Sequence, residues 1–177
     1  MKCSICSTEL EEFALGNDNI LYKCPKCYHI FRDIKICPAF AREHPWGGNS
    51  IFDKFRLSVV FFELLKSIKK KDRSINILEV GFGSGYLLNK LIKKGFFNIY
   101  GVEKYLLEND VLPEVKEKVK IYKDDLKNIF FDKNFDFVYA IHVVEHISDH
   151  NSFFKKLSSI IKENGIVFFI TPNASSF

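Results

Sequence analysis

Three groups of residues in this 177-residue chain have the types and spacing to do chemistry. The first is Cys3-Ser4-Ile5-Cys6, followed after seventeen residues by Cys24-Pro25-Lys26-Cys27. Each C-x-x-C turns tightly enough to aim two thiolates at one point, and two such turns complete a tetrahedron for zinc. The alternative, a pair of redox dithiols, is disfavoured because neither pair follows a strand and opens a helix. The second group is Glu79-x-Gly81-Phe82-Gly83-Ser84-Gly85, whose glycines let the backbone pass close under a ligand. The third is His142-Val143-Val144-Glu145-His146. On a helix this H-x-x-E-H string would set two zinc ligands on one face, with a glutamate poised to activate a metal-bound water.

The elements around each group decide between these chemistries. Ile75 to Val80 is short and rich in Ile, Leu and Val, which predicts a buried parallel strand. Gly81 to Gly85 is a turn. Tyr86 to Lys94 is a helix with Leu87, Leu88, Leu91 and Ile92 on one face and Gly95 as its stop. Phe97 to Val102 is the next strand, with Glu103 at its carboxyl end. This is a β-α-β unit with a nucleotide-type loop, in which an acid ending the second strand can accept hydrogen bonds from ribose hydroxyls. The glycine spacing is not that of a dinucleotide fingerprint, because the place of the third glycine is taken by Tyr86.

Glu79-x-Gly81-x-Gly83-x-Gly85, with Glu103 eighteen residues on, resembles the first motif of class I S-adenosylmethionine-dependent methyltransferases. The resemblance extends over about residues 75–173. "KVKIYKDDL" reads as strand three, "FDFVYAI" as strand four and "GIVFFITPN" as strand five. Between the last two, "SDHNSFFKKLSSIIKENG" reads as a helix with Phe153, Phe154, Leu157, Ile160 and Ile161 inward and Gly165 as its stop. The string "FDFVYAIHVVEHISDH…GIVFFITPN" looks like the family's pattern after strand three. The resemblance implies an α/β, Rossmann-like parallel sheet of order 3-2-1-4-5 that binds S-adenosylmethionine through Glu79, Gly81, Phe82, Gly83, Gly85, Glu103, Asp125 or Asp124, and His142. The acid after strand three would reach the adenine amino group; the alternative for Asp124 and Asp125 is a helix N-cap. His142 and His146 are candidate bases if the acceptor must lose a proton; the favoured alternative, implied by the resemblance, has His142 lining the methionine end of the cofactor and Glu145-His146 as a structural pair.

Family members have seven strands, and this chain ends a few residues past the fifth. The expectation is therefore a sheet lacking strands six and seven, with Val167 to Ile170 as an apolar edge. That implies a truncated product, or a half completed by a partner chain or a dimer covering the edge; the alternative function is a non-catalytic module, a zinc ribbon with a cofactor-binding fold, acting through partners. The cysteine module ahead of the domain makes the whole similar to methyltransferases of sugar and surface-polysaccharide pathways. Three segments are expected: a zinc ribbon over 1–37, a linker over 38–52 and a methyltransferase domain over 53–177. The linker is marked by two prolines and two glycines and contains His44 and Trp46; Cys37 is left over as a small hydrophobe or free thiol. From Asp53 to about Lys70, Phe55, Val59, Phe62, Leu65 and Ile68 recur at three- and four-residue steps, which predicts an amphipathic helix.

Composition narrows the partners. At 47% hydrophobic residues a packed core is expected and global disorder excluded. No run of about 18 apolar residues exists, so no membrane span is expected. The N-terminus lacks the apolar region of a signal peptide, and clustered cysteines fit metal binding in a reducing, cytoplasmic setting. The net charge of +4 comes from the stretch 51–74, where seven basic residues face three acids, as expected for a solvated helix end. Residues 1–50 are neutral, and four thiolates on one zinc add about −2, which argues against a phosphate clamp. Methyltransferases acting on nucleic-acid amino groups resemble one another in a (D/N/S)-P-P-(Y/F/W) motif. Here that place reads Ile141-His142-Val143-Val144, and no cysteine nucleophile follows Cys37, so a small-molecule acceptor such as a sugar or polysaccharide precursor is favoured. A metallopeptidase is disfavoured because Phe135 to Ile141 has a strand pattern, which puts His142 at a strand end.

Overall fold

Continuous apolar runs make the centre of this molecule. Ile77 to Val80 are all buried, as are Ile99 to Val102, because each strand is covered on both faces. The computed structural model describes residues 1–14, 20–32, 50–68 and 72–172. Cys37, His44, Trp46, Lys69 to Lys71 and most of the predicted linker lie outside the described residues, as do Asn173 to Phe177.

The N-terminal part is a three-stranded antiparallel sheet: β1 (Glu11–Ala14), β2 (Ile20–Lys23) and β3 (Ile30–Arg32) in that order. Helix α1 (Ile51–Ser67) follows, capped by the Ser50 hydroxyl, which accepts a hydrogen bond from the Asp53 N–H at 3.0 Å. Then come β4 (Ile77–Val80), α2 (Tyr86–Lys93), β5 (Ile99–Val102), α3 (Pro113–Lys118), β6 (Lys120–Tyr122), β7 (Phe135–Ile141), α4 (His150–Ile160) and β8 (Ile161–Ile170). The second sheet is parallel with order β6-β5-β4-β7-β8, the predicted 3-2-1-4-5. It has five strands among the described residues, and no described helix is long and apolar enough to cross a membrane.

Strand alternation sorts the core into two layers. Ile77, Ile99, Phe137 and Tyr139 face α1 and α2, packing with Leu57, Phe61, Leu64, Leu88 and Leu91. Leu78, Val80, Tyr100, Val102, Phe135 and Val138 face the other way, toward Phe153, Leu157 and Ile160 of α4. The small sheet joins this body at the start of α4. The Asn151 side-chain amide donates to the Ser4 carbonyl at 3.0 Å, and the His29 and His150 rings meet edge-on at 5.5 Å.

Two expectations need correction. Helix α1 forms as predicted, but its inward face is Leu57, Phe61 and Leu64; Phe55 (73% exposed), Val59 and Phe62 (58%) face away from the sheet. The helix is apolar almost all round, so periodicity alone does not choose the face. Helix α4 ends at Ile160, not at Gly165, and Phe154 is half exposed. Ile161 leaves the helix to pair with Phe135, and the next rung is Phe137 with Ile166, so Lys162 to Gly165 form an irregularity in the ladder. The Lys162 ammonium anchors it on the Asp136 carboxylate at 2.7 Å.

Candidate functional site

The carboxyl ends of β4, β5, β6 and β7 open on one side of the parallel sheet, where ligands bind in open α/β folds. Each end carries one of the predicted site groups. After β4 the chain turns through Gly81, Gly83 and Gly85 at φ 74°, 56° and 81°. Gly81 shows why: a Cβ there would collide with the Val143 side chain, and the backbone lies in the left-handed region. Its N–H donates to the Val102 carbonyl at 2.7 Å. Val143 follows His142, so the same contact holds the exit of β7 against the glycine loop.

Glu103 ties the loop to the neighbouring strand. Its Oε2 accepts from the Gly83 N–H at 3.0 Å and its Oε1 from the Tyr105 N–H at 3.1 Å. Each carboxylate oxygen has a second lone pair, which leaves capacity for hydroxyl donors of a ligand. Phe82 and Glu79 lie below the loop. The Phe82 ring is buried against Gly101 of β5, so only its backbone faces the cleft side of the loop. Glu79 is 3% exposed and accepts a hydrogen bond from the Tyr139 hydroxyl at 2.9 Å. Burial pushes its carboxyl well above the ordinary carboxylate range; the Tyr139 hydrogen bond opposes the rise and the Glu103 charge adds to it.

The acids after β6 serve the turn that follows. Asp125 is the N-cap of a short 3-10 turn over Leu126–Asn128, accepting from the Lys127 N–H at 3.3 Å, and it pairs with Lys104 at 3.3 Å. Asp124 accepts from the Asp125 N–H at 2.6 Å and from Asn128 Nδ2 at 2.9 Å. The Asn128 contact, then the Asp125 N–H, holds Asp124 below the usual carboxylate range. Lys104 is a cation at this corner that sequence reasoning missed. It stands next to Glu103, and only its pairing with Asp125 twenty-one residues on marks it out.

His142 ends β7 with φ 54°, a left-handed conformation for a non-glycine residue, and its N–H donates to the Ile170 carbonyl at 2.8 Å. Its Nε2 lies 2.7 Å from Arg56 Nη1 of α1, and its Nδ1 lies 3.2 Å from Glu145 Oε1. Glu145 Oε2 in turn accepts from the Thr171 hydroxyl at 3.3 Å. Arg56 was invisible to the sequence reading, since 86 residues separate it from His142. The H-x-x-E-H string spans a strand end and a 3-10 turn over Val144–His146, not a helix. The metal-ligand cluster found among the described residues is the four cysteines instead.

That cluster is built from two copies of one turn. In each, the residue after the second cysteine (Ser7, Tyr28) has φ 61° and donates its N–H to the carbonyl of the first cysteine at 2.9 Å. The first cysteines donate to Thr8 and His29 carbonyls at 2.8 and 2.9 Å, and their sulfurs accept N–H bonds from Ile5 and Cys27 at 3.4 Å. Cys3 and Cys27 sulfurs stand 3.6 Å apart, Cys6 and Cys24 3.4 Å, and all four lie within 4.8 Å of one another. A tetrahedron with Zn–S arms of about 2.3 Å has edges of about 3.8 Å, so the four thiols fit such an ion.

A glycine-looped parallel sheet with an acid at the end of its second strand defines a nucleotide-type α/β domain with the topology of class I methyltransferases. Residues 52–177 match the methyltransferase-domain family, and the chain belongs to it. A ubiquinone biosynthesis O-methyltransferase of Pelagibacter ubique is 30% identical over 131 residues, covering 69% of this chain and 54% of that protein. The chain thus spans about half the length of this curated relative. Among solved structures, a protein of Pyrococcus horikoshii superposes with TM-score 0.58 at 25% identity over 68% of this chain and 59% of that one. A coclaurine N-methyltransferase bound to N-methylheliamine and SAH shares the fold, with TM-score 0.54 at 15% identity over 72% of this chain and 39% of that one.

Proposed function

We propose that this chain binds S-adenosylmethionine across the carboxyl ends of β4 to β7 and transfers its methyl group to an oxygen of a small-molecule acceptor. The observation that carries the reading is the Gly83 N–H to Glu103 bond, which holds glycine loop and acid in one rigid cradle. In this reading Gly81, Gly83 and Gly85 let backbone pass under the methionine part and the Phe82 backbone lies beside them. Glu103 takes the ribose hydroxyls, Asp125 and Asp124 face the adenine, and His142 lines the methyl end. Glu79 supports the loop from below. The cofactor supplies an already activated methyl group, so the chain's task is to hold the acceptor oxygen in line and exclude water. Glu103→Ala should weaken binding of S-adenosylmethionine at least tenfold by calorimetry; an unchanged affinity would sink the assignment.

The acceptor oxygen rests on the name of the Pelagibacter relative, an O-methyltransferase of ubiquinone biosynthesis. A sugar or polysaccharide precursor, expected from the sequence resemblance, belongs to the same wider class of hydroxyl-bearing small molecules. Side-by-side turnover assays with the two acceptor types separate them. We also read Cys3, Cys6, Cys24 and Cys27 as a structural zinc ribbon, with domain limits at 1–37 and 53–177 and a linker over 38–52. One zinc per chain by elemental analysis, lost in Cys24→Ser, is the expected result. A reducing, cytoplasmic setting accords with the four free thiols, and a partner chain on the outer edge of β8 remains part of the reading.

A further inference from the structure

The hydrogen-bond network around His142 fixes its tautomer. A guanidinium has donors and no acceptor, so the 2.7 Å contact from Arg56 Nη1 requires an unprotonated Nε2 on His142. The proton of the neutral ring is then on Nδ1, aimed at Glu145 Oε1 3.2 Å away. Glu145 is held in turn by Thr171 on its other oxygen. Arg56 also reaches back to Asp53 of its own helix at 3.5 Å. The left-handed backbone at His142 follows the carboxyl end of β7, and Val143 pins the segment on Gly81. Among the described residues, the charged groups recorded at the imidazole are Arg56, with Asp53 behind it, from α1, and Glu145 from the 3-10 turn; Thr171, after β8, is neutral and bonds Glu145.

We propose that His142 and Glu145 form the acid–base dyad of this site, with Arg56 as a removable cap on the basic nitrogen. The proposal rests on the methyl-transfer reading above. The acceptor hydroxyl displaces the Arg56 guanidinium from Nε2 and donates its own proton there. As the oxygen–carbon bond forms and the sulfur–carbon bond breaks, the hydroxyl proton moves to Nε2. The sulfonium leaves as a neutral thioether, and the imidazolium is stabilised by the Glu145 carboxylate. Glu145 is a positioning residue: it fixes the tautomer that presents a lone pair to the acceptor.

The test uses the full chain, loaded with zinc, in two measurements. Long-range 15N–1H spectra of the five histidines, assigned with His142→Asn, are expected to show His142 as the Nδ1–H form. With both partners removed, in the double variant Arg56→Ala and Glu145→Gln, that signature should become mixed. An Nε2–H tautomer in the parent protein overturns the proposal whatever the enzyme does. In turnover, Glu145→Gln should bind S-adenosylmethionine within twofold of the parent while kcat falls tenfold or more. His142→Asn should abolish the acidic limb of the kcat/KM profile. Unchanged kcat in both variants, with cofactor bound, overturns the base role. Failure of the parent to bind S-adenosylmethionine instead overturns the methyl-transfer reading and the base role with it, and leaves the tautomer assignment standing on the spectra.

Discussion

At the scale of single residues, the candidate site mixes groups on the proposed ligand side with groups that carry the frame, and sequence alone did not sort them. The glycines were legible because their conformations follow from having no Cβ. The roles of Glu79 and Asp125 were less so, because a carboxylate in a motif reads the same whether it faces a cleft, a tyrosine or its own turn. Glu79 makes a pH prediction. Its folded-state affinity for a proton is raised by burial, so the folded chain holds that proton where the unfolded chain has lost it. The stability this provides is complete below the unfolded value of about 4.3 and is lost as pH rises through the higher folded value. Glu79→Gln should therefore match the parent in thermal stability below about pH 4 and exceed it increasingly as pH rises above that. Parallel melting curves for both proteins across that range would show that the carboxyl is ionised in the fold. Gly81→Ala makes a second prediction. It must hold a left-handed backbone and push Val143 aside, at a cost of about 1–3 kcal/mol. Gly95→Ala has a similar φ of 86° but open space, so it should cost less in the same denaturant titration.

At the scale of elements, the β-α-β unit and the strand order were legible because buried parallel strands and a Leu-rich helix stripe have distinct periods. Two helices were misread for different reasons. Helix α4 keeps an apolar pattern through Ile161, but pairing with Phe135 wins Ile161 for the sheet, a long-range contact that no local window contains. Helix α1 has apolar residues on both sides, and its choice of face depends on Ile77, Ile99 and the side chains of α2. Substitution checks that choice. Leu64→Ala, fully buried, should destabilise the chain by about 2–5 kcal/mol. Phe62→Ser, on the opposite face and 58% exposed, should change it by roughly 0.5 kcal/mol or less. Equal losses would mean that the outer face of α1 is covered in solution. That face leaves Phe52, Phe55, Val59 and Phe62 exposed.

At the scale of the whole molecule, two units of unequal self-sufficiency are stitched together. The parallel sheet has apolar layers on both faces. The N-terminal sheet has almost no core: among the described side chains of residues 1–32, only Cys3 and Cys24 are buried. A fold with so little apolar burial needs another source of free energy, and a metal on the four convergent thiols is the proposed one. The cysteine spacing made the convergence of the four thiols legible from sequence; the seam to α4 through Asn151, Ser4, His29 and His150 was not, because it joins residues more than a hundred positions apart. If zinc holds the small sheet, a strong chelator should expose the amides of residues 1–32 to rapid hydrogen exchange. The amides of β4, β5 and β7 should keep their protection, since their layers close without the small sheet. Affinity for S-adenosylmethionine should change less than threefold on chelation, because the cradle from Gly81 to His142 contains no residue of the first thirty-two. Joint loss of protection in both units would show instead that the seam at α4 makes them one cooperative body, and that the metal stabilises the cleft as well as the ribbon.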